Sequence, residues 1–146
     1  MKPYLIDTNV FVYAETPDDT VRAARAERVL EVSVLSGRGI ISTQVLAEFA
    51  NVLSRRVRTQ RDRHEVAARL RTVSRGWPVR DVDIEVSRLA LMFWERCALS
   101  FWDAQILAAA IASGCDTIVT EDTHKPIAGV RYVNPFAPGF DISELA

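Results

Sequence analysis

The chain has 146 residues, 49% of them hydrophobic and 25% charged, with a net charge of −1. That is an ordinary globular composition, and this length suits one domain that buries about two-thirds of its unfolded surface, so disordered and fibrous classes are excluded. The charge balance excludes a globally basic nucleic-acid binder, and no apolar run reaches the roughly 18 residues of a membrane span.

In chain order, residues 3 to 6 read as a short buried strand, and the segment after Asp7 as a helical turn. The loop Thr16-Pro17-Asp18-Asp19 then leads to a helix over 20 to 36, capped by Asp18, Asp19 or Thr20. Val21, Ala24, Val29, Val32 and Leu35 are expected to form its apolar face, and Gly37 and Gly39 to end it. "GIIS" at 39 to 42 is a second strand, with Thr43 expected as the N-cap of the next helix. Asp62 is read as the cap of a helix to about Arg75, closed by Gly76 and the Trp77-Pro78 turn. A helix over 84 to 98 follows, then one capped by Ser100 and ended at Gly114. "TIVT" at 117 to 120 and "VRYV" at 130 to 133 complete the strands. Short strands alternating with helices imply an α/β fold with a parallel sheet between helical layers, in one domain over 1–146. Cys97 and Cys115 sit in apolar helical contexts and read as buried reduced thiols. An acid as early as Asp7 breaks any signal-peptide core, so the expected setting is cytoplasmic.

Four acids occupy comparable places. Asp7 closes the first strand and Asp122 follows the third, both toward the carboxyl edge where open parallel sheets bind ligands. Asp103 lies in the first turn of its helix, three and four positions before Ile106 and Leu107, hence on the inward stripe. Glu48 shares a helix face with Val45 and Val52, and no lysine or arginine on that stripe can pair with it. Burying an isolated carboxylate is costly unless it is paired, hydrogen-bonded or metal-bound. Singly each acid has a plain structural reading: a cap for Asp7, a first-turn anion for Asp103, a turn for Asp122, a flank position for Glu48. Together they describe a site suited to Mg²⁺ or Mn²⁺, hard cations that prefer carboxylate oxygen, and to phosphodiester hydrolysis. His64 and His124 are too few and too poorly placed for zinc. An arginine-rich tract begins with Arg55, Arg56 and Arg58 and offers either phosphate contacts or a merely solvated face.

With "LIDTNVFVY", "ISTQVLAEFANVL", "LSFWDAQILAAAIASGCDTIVTEDT" and "GVRYVNPF", the chain resembles the PIN-domain ribonucleases, and among them the VapC-type toxins of type II toxin-antitoxin pairs. The match spans nearly the whole chain, with 57 to 95 weakly matched. The resemblance implies a three-layer α/β/α fold with four to five short strands and a Mg²⁺- or Mn²⁺-dependent endoribonuclease. It implies Asp7, Glu48, Asp103 and Asp122 as the catalytic and metal-binding acids, Asp7 and Asp103 being the direct ligands. Asn9, Ser42, Thr43 and Thr120 would orient ligands or water around them, with Thr8 as a possible further member. The implied partners are an RNA substrate, a second copy of the chain, and a small antitoxin that blocks the acidic groove.

Two other functions fit parts of the sequence. A non-catalytic RNA-binding or scaffolding module would use the arginine tract and no metal. An aspartyl-nucleophile phosphotransferase also begins with an acid ending a first strand. Asn9 stands where that mechanism wants a second aspartate, and no lysine is placed to neutralise a phosphoaspartate.

Overall fold

The computed structural model describes all of residues 1–146, in which pairs of helices separate the first four strands and the fifth strand follows the fourth directly. The order is β1 (Tyr4–Ile6), α1 (Thr8–Ala14), α2 (Thr20–Ser36), β2 (Gly39–Ser42), α3 (Thr43–Ser54) and α4 (Gln60–Gly76). Then come β3 (Val79–Arg80), α5 (Ile84–Arg96), α6 (Phe101–Ala112), β4 (Thr117–Val119), β5 (Arg131–Val133) and a closing 3-10 turn, Ile142–Leu145. The five strands form one sheet in the order β3-β2-β1-β4-β5, every pair parallel.

This order positions the site. From central β1 the chain moves outward to β2 and β3, then crosses back to β4 on the other side of β1. The β1–β4 junction is therefore the switch point, where the connecting segments part and leave a crevice beyond the carboxyl ends of the strands. Right-handed crossovers place the outward and returning helices on opposite faces, giving three layers. In keeping with this, α1 packs on α2 and α3, α3 on α4, and α5 on α6. The core comprises 29 buried residues, with Tyr4, Leu5 and Ile6 of β1 at its centre and most of α6 enclosed. The Tyr4 hydroxyl donates to Leu145 O at 3.1 Å and fastens the C-terminal turn over the sheet. No helix is long and apolar enough to cross a membrane.

Several sequence expectations need correction. On α2 the buried residues are Ala26, Val29, Leu30, Val32 and Ser33, whereas Val21 and Leu35 are 78% and 76% exposed. A helix of this length spans about 25 Å against roughly 10–14 Å for a strand of three or four residues. Its end turns therefore overhang the sheet. The N-cap of α3 is Ser42, whose hydroxyl accepts from Val45 N, while the Thr43 hydroxyl accepts from Val82 N. The N-cap of α4 is Thr59, and Asp62 answers it three positions on in a reciprocal capping box. The helix expected to reach residue 98 ends at Arg96, where Cys97 turns to extended backbone. Strand β3 is too short for any periodic signal and exists because Ile41 and Ser42 pair with it.

Gly39 is fixed by the approach of α2 to β2. A Cβ there would meet Ser33 Cβ at 2.7 Å and Ile6 Cδ1 at 3.1 Å, with Ser33 held by its bonds to Leu30 O and the Trp77 indole. Gly39→Ala is expected to lower unfolding free energy by about 1–3 kcal/mol through overpacking, measured as a reduced urea midpoint with unchanged slope.

Candidate active site

Asp7 leaves the carboxyl end of β1 and caps α1: its Oδ1 accepts from Thr8 N at 2.7 Å. Its Oδ2 accepts from the Thr120 hydroxyl, at the end of β4, at 2.8 Å. That hydroxyl also accepts from Asn9 Nδ2 and from Asp122 N, each at 3.0 Å. One donated and two accepted bonds exhaust a hydroxyl's capacity, so Thr120 is fully committed. Asn9 Oδ1 accepts in turn from Glu121 N at 3.3 Å and steadies the turn carrying Asp122.

Glu48 projects from the middle of α3. Its Oε2 accepts from the Thr8 hydroxyl at 2.6 Å and its Oε1 from Gln44 Nε2 at 2.8 Å. Gln44 also donates to Trp102 O and accepts from Gln105 Nε2, which ties α3 to the start of α6. Asp103 sits in the first turn of α6, whose cap Ser100 accepts from Asp103 N, and its Oδ2 lies 3.2 Å from His124 Nε2. The helix that returns the chain to the amino edge of a parallel sheet begins near its carboxyl edge, which is why a first-turn acid of α6 arrives beside Asp7.

Asp7, Asn9, Glu48, Asp103 and Asp122 line one cavity of about 360 Å³. No lysine or arginine lines it, so the carboxylates act on one another without a cation in the wall. The Asp7 carboxyl is pushed up to about 6, chiefly by burial, with smaller contributions from the charges of Glu48 and Asp103 and opposition from the bonds given by Thr120 and Thr8. Tyr132, packed edge-on against the His124 ring, has a buried hydroxyl without a hydrogen-bond partner. Its burial and then the Asp103 charge push it up to about 12.

The other predicted residues lie apart. Ser42 is buried and spends its hydroxyl on its helix, and Thr43 lines an adjoining pocket. Arg55, Arg56 and Arg58 stand at the far end of α3, about 10 Å along the axis from Glu48. Arg56 and Arg58 donate to backbone carbonyls, Arg56 to that of Glu15. This moves the tract away from the cavity wall. Sequence reasoning did not find Gln44, His124 or Tyr132 as neighbours of the acids. Only Gln44 carried a usable signal, four positions before Glu48 on the same helix face.

A PIN-domain family model matches residues 4–128. The chain belongs to the PIN-domain family. Its fold is similar to FitAcB from Neisseria gonorrhoeae, with TM-score 0.71 and 20% identity over 90% of this chain and 97% of that one. A toxin-antitoxin complex from Klebsiella pneumoniae matches with TM-score 0.65 and 19% identity over 91% and 98%. VapC20 of Mycobacterium tuberculosis, a sarcin-ricin loop cleaving toxin, matches with TM-score 0.58 and 22% identity over 79% and 86%. No curated protein sequence matched. At these identities the structural matches establish the PIN fold.

The raised Asp7 carboxyl fixes the sign of a pH effect. The folded PIN domain holds this proton to about pH 6 and the unfolded chain only to about 4, so ionisation costs stability that is fully lost above pH 6 and recovered below 4. Asp7→Asn, measured by urea denaturation in EDTA, is expected to be more stable than wild type by about 1–2 kcal/mol at pH 8. The difference should vanish near pH 4.

Proposed function

We propose that this PIN domain is a Mg²⁺- or Mn²⁺-dependent endoribonuclease that hydrolyses RNA phosphodiester bonds and acts as the toxin of a toxin-antitoxin pair. One observation carries the reading: Asp7, Glu48, Asp103 and Asp122, far apart in sequence, line a single cavity at the switch point of the sheet without a cation to neutralise them. Asp7, whose carboxyl burial pushes up to about 6, is one of its lining residues.

The side chains fit a hard divalent ion. No three His, Cys, Asp or Glu side chains are grouped closely enough to hold a metal ion among themselves. Mg²⁺ commonly takes only one or two carboxylates and keeps several waters, so acids spaced around a cavity of about 360 Å³, with room for those waters, are compatible with it. Asp7 and Asp103 would hold the ion directly, and Glu48 and Asp122 its waters. When bound, the ion supplies charge neutralisation at the scissile phosphate and an acidified water.

The chain's own groups supply orientation. Thr120 aims Asp7 Oδ2, leaving the carboxylate's outer lone pairs free. Thr8 and Gln44 hold both Glu48 oxygens, fixing the direction in which Glu48 can accept a proton from water. His124 restrains Asp103. Held in this way, the acids lose little freedom on receiving substrate, the condition for effective positioning.

The solved relatives include toxin-antitoxin complexes, and this supports an antitoxin as the natural regulator. An arginine from such a partner, entering a cavity without its own cation, would neutralise the acids and exclude RNA. A homodimer is part of the same reading. The open spacing of the acids is what a non-catalytic RNA-binding module would equally display, and catalysis separates the two.

Purified wild type, incubated with RNA and Mg²⁺ or Mn²⁺, is expected to produce discrete new 5′ ends, abolished by EDTA. Asp7→Asn and Asp103→Asn should each lose at least about a thousandfold in cleavage rate while remaining folded by circular dichroism. Retained metal-independent binding with no cleavage by wild type would establish the non-catalytic module instead. Thr8→Val, which leaves Glu48 Oε2 without its donor, should lower activity about 10- to 100-fold with its cap geometry intact.

A further inference from the structure

Beside the acid cavity lies a second pocket of about 710 Å³, and the two share Gln44, Glu48 and Trp102 as a common wall. A pocket of this size lies within the range of about 300–1,000 Å³ for small-molecule sites. Its chemistry differs from that of its neighbour. Glu48 is its one charged lining residue, and the rest of the polar wall is amide and hydroxyl, including Asn51 and Gln105. A phosphate would meet repulsion and no cation there. The wall suits an uncharged planar group with donors and acceptors along its edge.

Three groups in it are unspent. Trp102 is 60% exposed, its indole N–H takes no partner within the chain, and the Phe101 ring, edge-on at 5.6 Å and 77°, sets its orientation. Gln105 lines the pocket, is 8% exposed and donates its amide to Gln44 Oε1, while its oxygen accepts no bond from within the chain. The Asn51 amide, on the exposed face of α3, is likewise free. A nucleobase would stack on the exposed indole and meet the spare bonding capacity of the amides beside it.

We infer that this pocket receives an unpaired nucleobase of the RNA, stacked on Trp102 and read along its edge by Gln105 and Asn51, next to the phosphodiester held at the acids. The inference rests on the nuclease reading for what occupies the first cavity. Single-stranded RNA is recognised in general by splayed bases stacked on aromatic side chains and hydrogen-bonded at their edges. Because the two pockets share a wall, one nucleotide bridges them, and the base in the second fixes which bond lies in the first. Trp102 is then a specificity residue, and Asp7 and Asp103 remain untouched by its loss.

The test compares wild type, Trp102→Ala and Trp102→Phe on a pool of single-stranded RNA oligonucleotides randomised around one cleavage position. With Mg²⁺, wild type is expected to prefer particular bases at one position beside the cut. Trp102→Ala should retain kcat within a few-fold, raise KM about 5- to 150-fold and lose that preference, with Trp102→Phe in between. An abasic nucleotide at that position should penalise wild type to the same degree and Trp102→Ala hardly at all. Equal KM and equal base preference in wild type and Trp102→Ala overturn the inference. Indole emission in EDTA, assigned to Trp102 by difference from Trp102→Phe, separates the two readings. Base-dependent quenching without any cleavage supports the pocket and overturns the nuclease. No change with any oligonucleotide overturns the pocket and leaves this face to a protein partner.

Discussion

The Thr120 hydroxyl joins two strands and two acids at the one place where the sheet's connections diverge. It donates to Asp7 at the end of β1 and accepts from the backbone of Asp122 and the side chain of Asn9. Its bonding capacity is full, so the relative placement of β1, α1 and the turn after β4 admits little variation. A buried carboxylate can be kept at this junction only because it receives such bonds, and even so it holds its proton to about pH 6. The site is thus a local excess of unneutralised negative charge, tolerated by a core of 29 residues and available to a cation from outside.

The same economy governs the other acids. Glu48 receives hydrogen bonds on both oxygens, from a residue beside Asp7 and from one on its own helix, so α1 and α3 are coupled through a carboxylate as well as through apolar packing. Asp103 is fixed at the helix start by Ser100 and restrained by His124. The plain structural roles and the proposed chemical ones coincide: Asp7 is an N-cap and also an acid of the cavity whose carboxyl is pushed up by burial. Hydrogen-bond caps consume backbone-facing lone pairs and leave others directed outward, so a single carboxylate serves both purposes.

The pattern of strands and helices was legible because alternation, glycine stops and cap residues are local. Ser100 and the 20 to 36 helix were read correctly for that reason. Errors arose where two neighbouring residues could each cap, as with Ser42 and Thr43, or where a helix overran the sheet, as with Val21 and Leu35. The arginine tract shows the other limit. Its charge was visible in sequence, but its position at the distal end of α3 follows from helix direction in the assembled sheet. His124 was set aside as a zinc ligand on spacing, and its contact with Asp103 depends on a turn after β4 that no local signal specifies.

By itself the sequence determined the α/β class, the PIN-family resemblance and the four acids, because each rests on residue type and spacing along the chain. Only the tertiary structure decided that the acids share one cavity, that Thr8, Gln44 and Thr120 hold two of them, and that Trp102 stands exposed in a second pocket along the same wall. Apart from Gln44, four positions before Glu48 on the same helix, the bonds to these acids join segments separated by 40 and 113 positions. They exist because the strand order reverses at β1, a consequence of how helices pack on both faces of the sheet.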